Sequence, residues 1–335
     1  MLLNVWWVRL LPDPPEYESL EDEVDRVTYI IGRLLQMVPT VFTITVLVFL
    51  MIHLIPGDPA TIRLGIKATE EKIEAMTKHM GLDKPLWVQF GLFVKNLLRG
   101  DLGDSLISRI PVMELIQRRL PLTLFLATYA AVLAVTMTIP LALLAALNKD
   151  SFIDQVIRTV FVSLLSTPAF WIGIVLLIVL GIKISIFPVG GMGETFGERL
   201  YYLFLPAFTL SLHPAAVLTR NLRDGILSTL RSEHVVFARA KGLRERLVLI
   251  KHVLRNAMVS TLTLLGLYMS WLVGGSVIIE TVFALPGMGW TMVQGIMGRD
   301  YPVVQGLTLT FGILVSVVYL ITDIAYSFLD ARVTL

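Results

Sequence analysis

Few residues of this chain are spaced to act on one another chemically. The five histidines, His53, His79, His213, His234 and His252, form no HExxH pair and no other paired-ligand spacing, so no metal site is expected from them. Cysteine is absent, which removes disulfides, thiolate nucleophiles and thiolate metal sites together. No G-x-x-x-x-G-K-[ST] loop occurs, so the chain is not expected to hydrolyse ATP by that mechanism. The cluster Gly190-Gly191-Met192-Gly193 has no strand before it and no helix pattern directly after it, and reads as a turn. No catalytic residue is expected, and no cofactor bound by the chain itself.

What remains is polar groups inside apolar runs, and those runs are the dominant feature. The sequence is 55% hydrophobic and only 16% charged, with a mean hydropathy of +0.75. One or two cores of a chain this long cannot hide so much apolar surface, so lipid must cover the remainder. A bilayer core asks for about 20 apolar residues per helix. Six segments satisfy this: residues 34–55, 120–147, about 159–182, 203–219, 257–279 and 303–328. The first is too deep in the chain and too long for a signal peptide. The second is long enough to tilt or to project beyond the lipid. Pro39, Pro140, Pro168, Pro206 and Pro214 fall within spans and read as kinks. The expected fold class is therefore all-α and polytopic.

Basic residues orient these spans. The segment 220–255 holds nine Lys and Arg, whereas the two short loops 183–200 and 284–302 hold three between them. This asymmetry places both termini in the cytoplasm. The stretch 56–119 holds ten basic residues but is long enough to cross the membrane regardless. Within it, EEKIEAMTKH and LWVQFGLFVKNLLRG read as two helices capping the external mouth. Residues 1–33 form a cytoplasmic extension, with a WWVRLL patch around Trp6, Trp7 and Leu10 followed by seven acidic residues between Asp13 and Asp25. The patch reads equally as an interfacial element or as a flexible tail.

Against this topology the isolated polar groups can be placed. His53 and His213 read first as polar residues at or within helix ends, and secondarily as groups along a substrate path. Glu280, beside Gly274 and Gly275 at the outer end of the fifth span, reads as facing a partner or a pore mouth. Asp323 has the type of a proton-relay acid, although its place near Arg332 favours local pairing. The inner segment RSEHVVFARAKGLRERL is too polar to span. Ser232 is expected to cap a helix, with Glu233 in its first turn and Gly242 ending it. Ala238 and Ala240 keep its surface low, and Arg239, Lys241, Arg244 and Arg246 surround it with charge. It reads either as a basic loop that only fixes topology or as a short docking helix for a cytosolic protein.

From Tyr29 to Arg332 the chain resembles the membrane-spanning permease subunits of dipeptide and oligopeptide ABC importers. The resemblance rests on IHLIPGDPA, GLDKPLWVQF, GDLGDS, RLPLTL, EHVVFARAKGL, KHVLRNA, ETVFALPGMGW and RDYPVVQG, occurring in that order. It implies a six-span permease domain over 34–335, with an external segment at 56–119 and a cytoplasmic coupling loop at 220–256. The coupling helix would contact an ATPase through Glu233, Ala238, Arg239, Lys241 and Gly242, with Val236 and Phe237 standing where the broader signature has Glu and Ala. The resemblance also implies partners: a homologous second permease subunit, two cytosolic ATPases holding ATP and Mg, and an extracytoplasmic substrate-binding protein. Membrane lipid is a further expected contact and nucleic acid is not. Peptide is the default substrate, with oligosaccharide, glutathione and nickel as alternatives within the same architecture. An ion-coupled carrier acting alone would need an inverted repeat and mid-membrane charges, and neither is clear in the sequence.

Overall fold

The computed structural model describes residues 17–54, 64 and 69–329, with side chains described from Ile30 to Met51 and from Thr69 to Ala325 apart from His79 and Met80. The region around Trp6, Trp7 and Leu10, the segment after the first span, and Arg332 lie outside it. Among the described residues the chain is helical, without a sheet.

Helix α1, Tyr17–Leu54, begins well upstream of the expected span and includes Glu18, Glu21, Asp22, Glu23 and Asp25 of the acidic segment. At 1.5 Å per residue it is about 57 Å long, nearly twice the bilayer core, so part of it must lie outside the lipid. The two helices expected in the following stretch are present as α2, Glu70–Met80, and α3, Leu86–Leu98. Phe90 of α3 meets Phe49 of α1 edge-on with ring centroids 5.2 Å apart, which clips α3 to the end of the first span.

Helix α4, Val112–Leu147, is the central post. Its Ala127, Ala130, Ala131, Ala134, Ala142, Ala145 and Ala146 are buried. Lipid tails are as apolar as leucine, so helix association in a membrane depends on close packing, which these small residues permit. Their main neighbour is α8, Phe204–Thr229. Helix α11, Arg255–Val282, and the last span α13, Tyr301–Leu329, complete the bundle with α12, Met288–Met297, bridging them. α1 lies along α13: Gln305 donates to the Val48 carbonyl at 3.0 Å, and Arg33 pairs with Asp323 at 3.3 Å near the other end. Asp323 is thus paired with Arg33, and Arg332, the partner region expected from the sequence, lies outside the described residues.

The third expected span is not one rod. It divides into α5, Phe152–Ser166, and α6, Ala169–Leu176, which runs on as a π-helical turn, Leu177–Lys183, and the two legs meet at 109°. The cause is Pro168, which lacks an N–H and forces Thr167 into extended backbone at φ −106° and ψ 131°. The fourth span is bent by 58° between α7, Phe196–Tyr202, and α8. Among the described residues four single helices are therefore long and apolar enough to cross a membrane, and up to six when each bent pair counts as one span. The Gly190–Gly193 cluster is a turn ahead of α7, with Gly191 and Gly193 at φ 98° and 69°.

Candidate functional site

The helix expected after Ser232 forms as α9, Glu233–Ala240. It sits between the end of α8 and a rod made of α10, Glu245–Leu247, a π-helical segment, Val248–Leu254, and α11. The basic inner segment is consequently compact: α8 occupies its beginning to Thr229, α9 follows at Glu233–Ala240 and the rod starts at Glu245. Ser232 holds the N-cap position with extended backbone but accepts no capping bond. Its hydroxyl instead donates to the Thr229 carbonyl at 2.5 Å, tightening the turn from α8. Gly242 ends the helix at φ +74°, as its residue type predicts.

α9 has two unlike faces. Val235 and Ala238 are buried together with Ala142 and Ala146 of α4, Leu222 and Ile226 of α8, and Val248 and Val253. On the other side Val236 is 57% exposed and Phe237 66% exposed. Ala238 therefore does not open the surface to a partner. Its small side chain lets α9 settle onto its own chain. Arg239 is likewise committed internally, paired with Glu245 across the Gly242 turn, with a second bond of 3.1 Å. That pairing holds its pKa above the ordinary arginine value. Glu233 and Lys241 are exposed. The i, i+3 spacing of Val235 and Ala238 was the signal in the sequence for which face turns inward.

Gly242 has open space where a Cβ would lie, so its constraint is backbone conformation alone. Gly242→Val is expected to cost about 1–2 kcal/mol through strain in the left-handed region. Hydrogen exchange at the amides of α9 should accelerate, while those of α4 stay protected.

At the opposite end of the bundle Glu280 is fully buried and faces neither solvent nor a pore mouth. Its carboxylate accepts from the Thr123 hydroxyl at 2.7 Å and from the backbone N–H groups of Gly289 and Trp290 at 2.7 and 3.1 Å. The Thr123 oxygen in turn accepts from the Met288 N–H at 3.0 Å. A carboxylate thus satisfies the free N–H groups that begin α12. A Cβ on Gly287 would meet the carboxylate at 2.4 Å, and one on Gly289 would meet the Val277 backbone at 2.4 Å. The glycines of PGMGW are there because backbone must come down onto Glu280. Asp300 makes a similar buried knot, accepting from the Ser105 hydroxyl at 2.5 Å and the Leu106 N–H at 3.0 Å. It fastens the segment before α4 to the α12–α13 corner.

Two further groups complete the survey of polar sites. Asp154 and Arg223, buried at the α9 end, form a two-pronged ion pair at 2.7 and 2.6 Å that the sequence reading had not singled out. His213, midway along α8, stacks on Trp271 of α11 with ring centroids 4.9 Å apart, beside Tyr268. The side chain of His53 lies outside the described residues. No cluster of three or more His, Cys, Asp or Glu that could hold a metal occurs among the described residues.

The chain matches a family described as "Binding-protein-dependent transport system inner membrane component" over residues 138–335, and the N-terminal portion of the same membrane components over residues 26–127. It belongs to that family. It is therefore a multi-pass inner-membrane permease component rather than an enzyme. It is 39% identical over 313 residues to "Oligopeptide transport system permease protein AppB" of Bacillus subtilis, covering 91% of this chain and 98% of that one. It is 36% identical over 307 residues to "Glutathione transport system permease protein GsiC" of Escherichia coli strain K12, covering 92% and 99%. A chain of a crystal structure of an amino acid ABC transporter with histidines overlays on 64% of this permease and 91% of its own length, with a TM-score of 0.46 and 17% identity.

Proposed function

We propose that this permease forms one half of the membrane pathway of an ATP-driven importer of short peptides, and that α9 is where a cytosolic ATPase acts on it. The observation carrying the coupling role is the two-faced α9, anchored by Val235 and Ala238 and presenting Val236 and Phe237 outward. Exposed apolar side chains at the polar end of a bundle, ringed by Arg and Lys, suit a protein groove better than water. The peptide substrate class is supported by the relatives, one named for oligopeptides and one for glutathione, itself a tripeptide.

The basic charge around α9 supports a cytoplasmic placement for it and for both termini, which would turn α2, α3 and the Glu280 end toward an external binding protein. A homologous permease would supply the other half of the pathway, and paired ATPases would hold ATP and Mg. Closure of the ATPases would shift the equilibrium between inward-open and outward-open packings through α9, in which Phe237 and Lys241 touch the partner while Arg239, Ala238 and Gly242 position the helix. His213 with Tyr268 and Trp271 is our choice for the substrate path. A half-exposed imidazole midway along a span is costly against lipid and is better placed against a polar pathway.

The test is peptide-stimulated ATP hydrolysis and uptake by the complex reconstituted in liposomes. Phe237→Asp should bring both down by about 100-fold, the loss of roughly 2–3 kcal/mol at an interface anchor, with the melting temperature of the permease unchanged. Undiminished coupling in Phe237→Asp would remove α9 from the mechanism. Stimulation by oligosaccharides alone would remove peptides as the substrate.

A further inference from the structure

Between α5 and α8, at the α9 end of the bundle, lies a cleft of about 650 Å³ that the transport reading does not use. Its two walls run antiparallel and change character with depth. Toward the α9 end they carry Arg158 on α5, and Arg220, Arg223 and Asp224 on α8. One to two turns deeper, about 6–10 Å further in, they carry Val162 and Leu165 on α5 and Ala216 on α8.

The charges do not cancel. Arg223 is held by Asp154 and Asp224, and Arg158 leans on Asp154 at 3.6 Å. Arg220 is exposed and has no ion pair or hydrogen bond among the described residues. Three guanidinium groups thus face two carboxylates. Where the polar and apolar parts of the cleft meet, Thr219 is 1% exposed and its hydroxyl has no hydrogen-bond partner. A buried hydroxyl left unsatisfied costs about 1–3 kcal/mol, so its place on the cleft wall marks where a ligand oxygen would be bound.

We propose that this cleft binds an anionic phospholipid of the cytoplasmic leaflet, the leaflet following from the orientation given above. The phosphate lies against Arg220 and Arg158, Thr219 donates to a phosphate or ester oxygen, and the first methylenes of an acyl chain run along Val162, Leu165 and Ala216. A basic pocket between spanning helices that turns apolar at its deeper end matches an amphiphile entering from the bilayer. A soluble anion would leave the apolar half of the cleft unfilled.

The experiment is native mass spectrometry and thermal unfolding of the intact transporter in neutral detergent, with phosphatidylglycerol, phosphatidylcholine or inorganic phosphate added. Phosphatidylglycerol should be retained and should raise the melting temperature, whereas phosphatidylcholine and phosphate should not. Arg220→Gln should weaken retention about fivefold, and Thr219→Val by a similar factor of about five, neither changing the melting temperature in lipid-free detergent. Equal effects of both lipids, the same shift from phosphate alone, or unaltered retention in both variants would each overturn the proposal. Because the chain has no cysteine, Val162→Cys gives one clean probe. Its crosslinking to a second permease would show that protein fills the cleft and would also overturn the lipid reading. None of these results depends on which solute the transporter carries.

Discussion

Replacing Asp154 with alanine is expected to destabilise the permease by roughly 3–5 kcal/mol, the usual consequence of stranding a buried charge. Arg223 is the charge left behind, with only the exposed Asp224 still beside it at 3.1 Å: its side chain is only 11% exposed, and two of its nitrogens point at the missing carboxylate. Asp154 also receives the Asp150 N–H at 3.0 Å, while Ser151 caps the same turn by accepting the Asp154 N–H. One substitution therefore loosens both the start of α5 and its attachment to α8. The double variant Asp154→Leu with Arg223→Leu should lie closer to wild type than either single change, since removing both charges also removes their desolvation cost. Unfolding midpoints of the purified complex in one detergent decide the matter. A single Asp154→Ala variant within about 1 kcal/mol of wild type, the scale of an exposed pair, would mean the pair is far better solvated than its burial indicates.

Glu280→Ala should have an effect of comparable size at the other end. It orphans the Gly289 and Trp290 N–H groups and the Thr123 hydroxyl, each worth about 1–3 kcal/mol when left buried without a partner. Glu280→Gln separates the possible reasons. Its amide oxygen can take both N–H groups and its NH₂ can donate to the Thr123 oxygen, so shape and most bonds survive. Stability and transport in Glu280→Gln should stay near wild type, with Glu280→Ala impaired in both. If the glutamine variant folds normally but loses transport, Glu280 acts through its charge and the clamp is not its main role.

The contrast between Glu280 and α9 shows what the sequence made legible. Span number, the two helices after the first span and the α9 position all follow from hydrophobic length, positive charge and a single glycine, which are local quantities. The role of Glu280 is not local: it depends on α12 folding back so that backbone N–H groups reach the carboxylate, and nothing at position 280 announces that. Asp154 and Arg223 escaped notice for the same reason, being far apart in sequence and on helices whose ends looked merely polar. The broken third span was half legible. Pro168 marked a kink, but 109° rather than a gentle bend required knowing that α6 packs across α8 and α11, where a Cβ on Gly173 would lie 3.3 Å from both Phe283 and Thr209. The inward turn of Ala238 was readable from spacing, yet a small residue is equally suited to admit a partner or its own chain.

The seating of α9 sets how motion travels through the molecule. Its eight residues have no slack: Val235 and Ala238 are gripped beneath, and the Arg239–Glu245 pair closes the turn into the rod that becomes α11. A sideways push on Phe237 would thus be delivered to the foot of a rod, Glu245 to Val282, about 57 Å long. Tilting that rod by about 5° would carry its far tip roughly 5 Å. The tip is where Glu280 grips the start of α12, so a displaced α11 would drag its neighbour with it and link the two ends of the bundle.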